Sequence, residues 1–483
     1  MTENEQSEFE VALRVEQRRE KCVMRACKQS LFRWIRRATA RDRGLLKLMK
    51  TYEETVEAIL EIPKFTTKNK LEHTKELLYR LGNPQKCFQV IHVAGSNGKG
   101  SVCAYIESVL RKAGKQTGLF TSPHLVCIEE RFALNGKTCN RDDFLSAADQ
   151  VSQVANQMVN EGLPHPTFFE YIFAVGMLIF AKAKVEYAVL ETGLGGRLDA
   201  TNIIENPILT VITAISLEHT EILGETIEKI AVEKAGILKQ NVPVVFDASL
   251  PEVEQVVTQR AKELNCPIYA VFPKNIKILL NTGKKIAFSY ISGYDVTELE
   301  IPFAAPYQAY NAVIAYQAVN CLAKTKEIPN QAIMQGIAQV SWKGRMQQVC
   351  PEVYLDGAHN VDGMDKFLEA AGQITDKSSI LLFSMVKDKD YVQAVKLLLD
   401  HGSWQEIILT TIQGERGVDS QKLAELFQKI VNQKQLQVKI TEIEKIEMAY
   451  AYALKAKKPG QALFCAGSLY LIGELERIAG GME

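Results

Sequence analysis

The plainest chemistry in the chain lies in Gln89-Val90-Ile91-His92-Val93-Ala94 and the turn that follows, Gly95-Ser96-Asn97-Gly98-Lys99-Gly100-Ser101. An apolar strand runs into a glycine-rich turn holding one lysine and one hydroxyl. A helix comes next, because Val102, Ile106, Val109, Leu110 and Ala113 recur three or four residues apart and share one face. Glycines let the N–H groups of such a turn converge on phosphate oxygens, and the helix N-terminus adds the positive end of its dipole. Lys99 would reach the terminal phosphates, and Ser101 would serve phosphate or Mg²⁺. The spacing Gly95-x-x-Gly98-Lys99-Gly100-Ser101 is shorter than the usual pattern and inserts a glycine before the serine. The expectation is a nucleoside triphosphate site formed by Ser96, Asn97, Gly98, Lys99, Gly100 and Ser101.

Other reactive residues stand at strand ends. Glu191 closes the apolar run Tyr187-Ala188-Val189-Leu190, and His219 follows the run 208–213. An acidic residue ending a strand beside a phosphate loop is how such folds hold Mg²⁺. A histidine is an unusual Mg²⁺ ligand, so by residue type His219 reads as a hydrogen-bonding group. Thr121-Ser122-Pro123-His124 follows the strand at 117–120, at the edge that faces the ligand crevice in open α/β sheets. Lys234 reads as a solvated helix residue.

The elements that must carry these residues alternate as in a parallel α/β protein. Helices are expected at 55–60, 71–78, 142–158, 170–182 and 311–322, and further strands at 242–246 and 268–272. After the break Ser341-Trp342-Lys343-Gly344-Arg345 the alternation starts afresh, with strands at 353–355, 380–383, 407–410 and 462–465 and no second phosphate turn. The fold class read from this is α/β: an N-terminal P-loop ATPase domain with a parallel-rich sheet, then a smaller C-terminal Rossmann-like domain. The expected boundaries are 1–48, 49–343 and 344–483. Residues 1–48 begin acidic and become arginine-rich (Arg33, Arg36, Arg37, Arg41, Arg43), and are expected to be a solvated or disordered extension rather than a basic binding arm.

Composition bounds the class. With 483 residues, 47% of them hydrophobic, 24% charged and a net charge of zero, the chain reads as a soluble protein of more than one domain. Neutral charge argues against a general nucleic-acid partner, and no apolar run reaches membrane-spanning length. Ten cysteines without a C-x-x-C pair suit buried, reduced thiols and a cytoplasmic location.

Taken together, the turn 95–101, Thr121 to His124, Glu191 to Asn202, Glu218 to Gly224 and Glu233 to Ile237 resemble the folylpolyglutamate synthase/dihydrofolate synthase branch of the Mur ligase superfamily. Asp356-Gly357-Ala358-His359-Asn360, Asp388-Lys389-Asp390 and Gly467-Ser468-Leu469-Tyr470 resemble it too, and the likeness covers about residues 50–475. The resemblance implies a monomeric, ATP-driven amide ligase using Mg²⁺, with folate or dihydropteroate and L-glutamate as substrates. It implies Mg²⁺ ligands at Ser122, Glu191 and His219, and a carbamylated Lys234 holding a second Mg²⁺. Lys99, Lys234 and His219 are then the catalytic group. Asn311, Arg345 and Asp356 become ATP contacts, and Thr167, Phe168, Phe169 and Glu170 with Leu198, Asp199 and Ala200 become the acyl-acceptor pocket.

Departures from the pattern are informative. Ala305-Pro306-Tyr307-Gln308 stands where the family often has Gly-x-His-Gln, Val361 where a proline is common, and Ser384 where a glycine is usual. Lys68-Asn69-Lys70 replaces the Asp-Leu-Gly that bifunctional members of the enterobacterial type set against the pterin. Folate polyglutamylation is therefore the primary expectation and dihydropteroate ligation stays open. Two rival readings are a cell-wall peptide ligase of the same superfamily, for which the residues ahead of the ATPase helices are too few, and a non-catalytic nucleotide-binding module.

Overall fold

A computed structural model of the chain describes residues 51–63, 69–414 and 416–480. The expectation for residues 1–48 and the position of Lys68 therefore lie outside the described residues. The chain divides into a unit ending at Glu61 and a second unit, Ile62–Glu483. In the first, Tyr52–Glu61 forms a helix with Glu53 and Glu54 in its first turn, where carboxylates oppose the helix dipole favourably.

The second unit holds three sheets. The largest comprises β1 (Gln89–Ala94), β2 (Thr117–Phe120), β3 (Phe132–Leu134), β4 (Lys137–Thr138), β5 (Tyr187–Glu191), β6 (Leu209–Ile212), β7 (Val244–Asp247) and β8 (Ile268–Val271). Their order is β4-β3-β2-β5-β1-β6-β7-β8, parallel except for the antiparallel β3 and β4 edge. Strands buried on both faces need mostly apolar runs, and β1 and β5 supply them, broken by His92 in β1 and closed by Glu191 in β5. One face packs on the phosphate-loop helix Lys99–Lys112 and on the helix Tyr307–Lys326. The other face packs on the apolar helix Phe168–Lys182 and its neighbours.

A small antiparallel sheet, β9 (Ile276–Asn281), β10 (Ile286–Ser292) and β11 (Asp295–Ile301), was not expected from the sequence. The third sheet has six strands rather than the expected four: β12 (Gln347–Cys350), β13 (Val353–Leu355), β14 (Ser379–Phe383), β15 (Trp404–Leu409), β16 (Lys439–Glu442) and β17 (Leu463–Ala466), ordered β12-β13-β17-β14-β15-β16. Only β12 runs antiparallel to its neighbour. The α/β class is thus as read, while two edge strands escaped notice.

Two further expectations need correction. The helix expected at 311–322 begins at Tyr307, which puts Tyr307 and Gln308 in its first turn. The cysteines are free where described, but Cys87 and Cys350 are exposed rather than core filler. Among the described residues no helix is long and apolar enough to cross a membrane.

Candidate active site

The phosphate turn joins the C-terminal end of the central strand β1 to its helix. Gly98 sits at φ 86°, left-handed backbone that glycine adopts without penalty, and caps the helix. A Cβ there would lie 2.4 Å from Asn311 Oδ1, so glycine also allows the Tyr307–Lys326 helix to approach. The helix makes a second contact, from Gln308 Nε2 to Ser101 Oγ at 3.2 Å. Lys99 Nζ donates to the Gly95 and Ser96 carbonyls, both at 2.9 Å, and so folds back over the loop. The N–H groups of the first helical turn have no intrahelical acceptors, which leaves them to a ligand.

Glu191, at the end of β5 beside β1, is buried, and its Oε2 accepts from the Ser122 amide at 2.9 Å. Burial pushes its carboxyl above the usual range against the pull of Lys99, the Ser122 N–H, Arg345 and Arg131. The structure thus brings Ser122, Glu191, Lys99 and Arg345 together.

Lys234 lies on the helix Ile227–Ala235 and is 1% exposed, which corrects its reading as a solvated residue. Its Nζ donates to Gly95 O at 2.7 Å and to Glu218 Oε1 at 2.9 Å. Burial pushes the amine down to about 8 even with Glu218 beside it. Burial alone would raise Glu218, but Lys99, Lys234 and His219 outweigh it and hold the carboxyl down at about 2. His219 is left-handed at φ 47° and half-shielded, and its ring is lowered by burial and then by Lys389. Among the described residues no three His, Cys, Asp or Glu side chains gather as a metal cage. His219 and Lys234 both act on Glu218, and Lys99, whose charge acts on Glu218, acts on Glu191 as well.

The third sheet contributes from its strand ends. Asp356 follows β13; its Oδ2 accepts from Tyr307 Oη and the Met346 amide, and its Oδ1 from the Ala358 amide, each at 2.8 Å. Tyr307, at the site of a departure from the family pattern, thus ties the first-turn end of its helix to Asp356. Arg345 Nη1 donates to Gly344 O at 2.9 Å, and its charge acts on both Asp356 and Glu191. His359 Nδ1 donates to Gly357 O at 2.7 Å, because a carbonyl can only accept, so Nε2 keeps its lone pair. Burial lowers that ring to about 4. Asn97 Nδ2 donates to Asp362 Oδ2 at 2.5 Å, which links the phosphate loop to the helix Val361–Ile374.

The expected acceptor pocket is built largely by its own capping bonds. Thr167 caps the helix Phe168–Lys182 in a capping box with Glu170, and Glu170 also accepts from Asn69 Nδ2 at 2.8 Å and Thr74 Oγ1 at 3.3 Å. Phe169 presses on Gly193, where a Cβ would fall 2.5 Å from its ring. Leu198 is 44% exposed, whereas Asp199 and Ala200 are buried. Phe168 carries the Arg131 guanidinium 5.4 Å above its ring.

Sequence reasoning missed Arg131, Glu218 and Gln308. Arg131 is buried, donates to His124 Nδ1 at 2.9 Å, and has no carboxylate at ion-pair distance among the described residues. Burial pushes its guanidinium down to about 10 despite Tyr470, Glu191 and Glu130 nearby. The one available signal was position: Glu218 adjoins His219, and Arg131 follows the Thr121–His124 motif by a few residues.

Comparison with known proteins bears on this arrangement. Residues 93–319 match the Mur ligase middle domain, and residues 344–469 match the Mur ligase glutamate ligase domain. The dihydrofolate synthase/folylpolyglutamate synthase of Bacillus subtilis is 37% identical over 344 residues, 69% of this chain and 80% of that protein. The chain belongs to the folylpolyglutamate synthase/dihydrofolate synthase family. This is a family of ATP-dependent ligases, and its solved members share the fold. The folylpolyglutamate synthase of Thermotoga maritima is 27% identical with a TM-score of 0.77, covering 89% of this chain and 97% of that one. E. coli FolC, solved in complex with DHPP and ADP, is 26% identical with a TM-score of 0.77, covering 90% and 98%.

Proposed function

We propose that the chain joins L-glutamate to the glutamate tail of a tetrahydrofolate, using ATP to activate the acceptor carboxylate. The observation that carries this reading is the convergence of Lys99, Glu191 and Arg345 at the phosphate loop, with the buried guanidinium of Arg131, which has no carboxylate at ion-pair distance among the described residues, acting on Glu191. A carboxylate is a poor electrophile, so the γ-phosphoryl of ATP first passes to it, giving an acyl phosphate and ADP. The glutamate amine then attacks the acyl carbon, the C–N bond forms, the C–O bond to phosphate breaks, and the amine proton leaves with solvent.

Each residue has a part in that sequence. The loop amides and Lys99 hold the phosphates, and Arg345, on the chain segment between the two large sheets, adds positive charge as the transferring group develops its own. Arg131 supplies the buried cation that a carboxylate substrate needs. Asn311 and Asp356 take the nucleoside, and Thr167 to Glu170 with Leu198 to Ala200 wall the acceptor.

The donors fit Mg²⁺. Glu191 is a buried carboxylate that accepts from the Ser122 amide, Ser122 adds a hydroxyl, and hard oxygens of this kind are what Mg²⁺ prefers. When bound there it neutralises phosphate charge. We assign His219 as a further ligand with Ser122 and Glu191, and Lys234, beside Glu218, as the carbamylated lysine at a second cation. Support comes from the amine lowered to about 8, which leaves about one lysine in ten neutral at pH 7 to react with CO₂. We place the end of the ATPase part near Lys343 and read the protein as a cytoplasmic monomer.

The test is glutamate-dependent ADP release with tetrahydrofolate and, in parallel, with dihydropteroate. Release with tetrahydrofolate is expected. Release with both makes the enzyme bifunctional, and release with neither from folded, ATP-binding protein overturns the folate reading.

A further inference from the structure

His92 lies in the middle of β1, fully buried, and has no place in the chemistry above. Its Nε2 is 2.8 Å from Thr201 Oγ1, and Thr201 Oγ1 is 2.6 Å from Asp199 Oδ1. Asp199 Oδ1 also accepts from the Thr201 amide at 3.0 Å. Its Oδ2 accepts from the amides of Gly193 at 3.0 Å and Leu194 at 2.9 Å. The direction of each bond can be worked out. Four donors converge on Asp199, so it acts as an acceptor-only carboxylate. The one hydroxyl proton of Thr201 goes to it along the shortest contact, and Thr201 Oγ1 must then accept from His92 Nε2–H. This fixes the tautomer: Nδ1 is bare, and it is buried with no hydrogen-bond partner among the described residues.

A buried, unpaired ring nitrogen costs stability that a leucine in the same strand would not incur. Burial, with Lys239 nearby, also pushes the ring down to about 3, so it stays neutral in the working range. Among the described residues the hydrogen bond that offsets this cost is the one to Thr201. That bond ends on a loop wedged between two functional walls. Gly193 rests on Phe169, Gly196 lies against the Glu233 and Lys234 carbonyls, and the Arg197 amide donates to Glu233 O at 2.7 Å.

We propose that His92 is a positioning residue: through Thr201 and Asp199 it sets the loop 193–199 that shapes the acceptor pocket. The proposal rests on the reading of residues 198–200 as part of that pocket. A shift of the loop bears first on the Phe169 wall, whereas the phosphate loop has bonds of its own to Ala214 and Thr213 besides the one from Lys234.

The test compares His92→Leu with His92→Gln, whose terminal amide keeps a donor near the Nε2 position. In His92→Leu the KM for the folate acceptor rises about tenfold or more while the KM for ATP stays within about twofold. Amide exchange across 193–199 also quickens about tenfold, and His92→Gln recovers much of both effects. Unchanged exchange across 193–199 in His92→Leu overturns the relay. Faster exchange with an unchanged acceptor KM overturns the pocket reading of the loop, and the positioning role with it. If His92→Leu does not fold, Thr201→Val against Thr201→Ser gives the same comparison with the hydroxyl removed or kept.

Discussion

Alanine at Gly98 probes the nucleotide site with a control built into the fold. Gly98 and Gly82 share nearly the same left-handed backbone, φ 86° and 83°, yet a Cβ at Gly82 meets nothing within 4 Å while one at Gly98 lies 2.4 Å from Asn311 Oδ1 and 3.2 Å from its Cγ. Both substitutions carry the strain of a left-handed alanine, about 1 kcal/mol each. Gly98→Ala must in addition move Asn311 or the loop by roughly 1 Å to restore ordinary contact. That motion strains the bond from Asn311 Nδ2 to Gln308 Oε1 at 3.1 Å and pulls Asn311 from the nucleoside. A lost hydrogen bond and a misplaced buried amide together come to about 2 kcal/mol. If that energy is lost from nucleotide binding, the KM for ATP rises about thirtyfold in Gly98→Ala and stays flat in Gly82→Ala. Steady-state ADP release read against ATP concentration, with urea unfolding of both variants, gives the two numbers. Equal KM values for the two variants would refute the placement of ATP between this loop and Asn311.

Two further outcomes follow from the buried charges. In the protein before CO₂ has added to Lys234, Glu218→Gln strands the Lys234 ammonium, and removing one partner of a buried pair costs about 3–5 kcal/mol. Lys234 is already lowered to about 8, so by pH 9 it is mostly neutral with or without Glu218. The loss of unfolding free energy is therefore larger at pH 6 than at pH 9, and an equal loss at both refutes the pairing. Tyr307→Phe removes the hydroxyl from Asp356 Oδ2; unfolding free energy falls about 1 kcal/mol and the KM for ATP rises about fivefold, against no change if the contact is incidental.

What the sequence made legible follows burial. β14 is apolar from Ile380 to Phe383 and β1 is apolar but for Gln89 and His92, because both faces of a parallel strand are covered, and such runs stand out. β16 is short and polar, Lys439 to Glu442, because an edge strand must resist further pairing, and that composition conceals it. The β10–β11 hairpin was readable in principle: Ile286, Phe288 and Tyr290 alternate inward, and Gly293 at φ 64° makes the turn. At the site, motif order located Lys99, Glu191 and Lys234. Composition could not say that Lys234 is buried, since that depends on Glu218 and Gly95 arriving from other elements. Gln308 meets Ser101 across 207 positions, a distance over which periodicity carries no information.

The segment between the two large sheets leaves one optical consequence. Of three tryptophans in the chain, Trp404 is packed against Phe367 and Phe464 in the C-terminal core, where its surroundings are fixed by that core. Trp342 instead lays its indole edge against Gly100, where a Cβ would fall 2.8 Å from the ring, and its buried Nε1 proton has no acceptor among the described residues. An indole with an unspent donor beside the phosphate loop has an emission set by the polarity of that loop. The native chain carries its own fluorophore at the nucleotide pocket, so occupancy can be followed by light without a label.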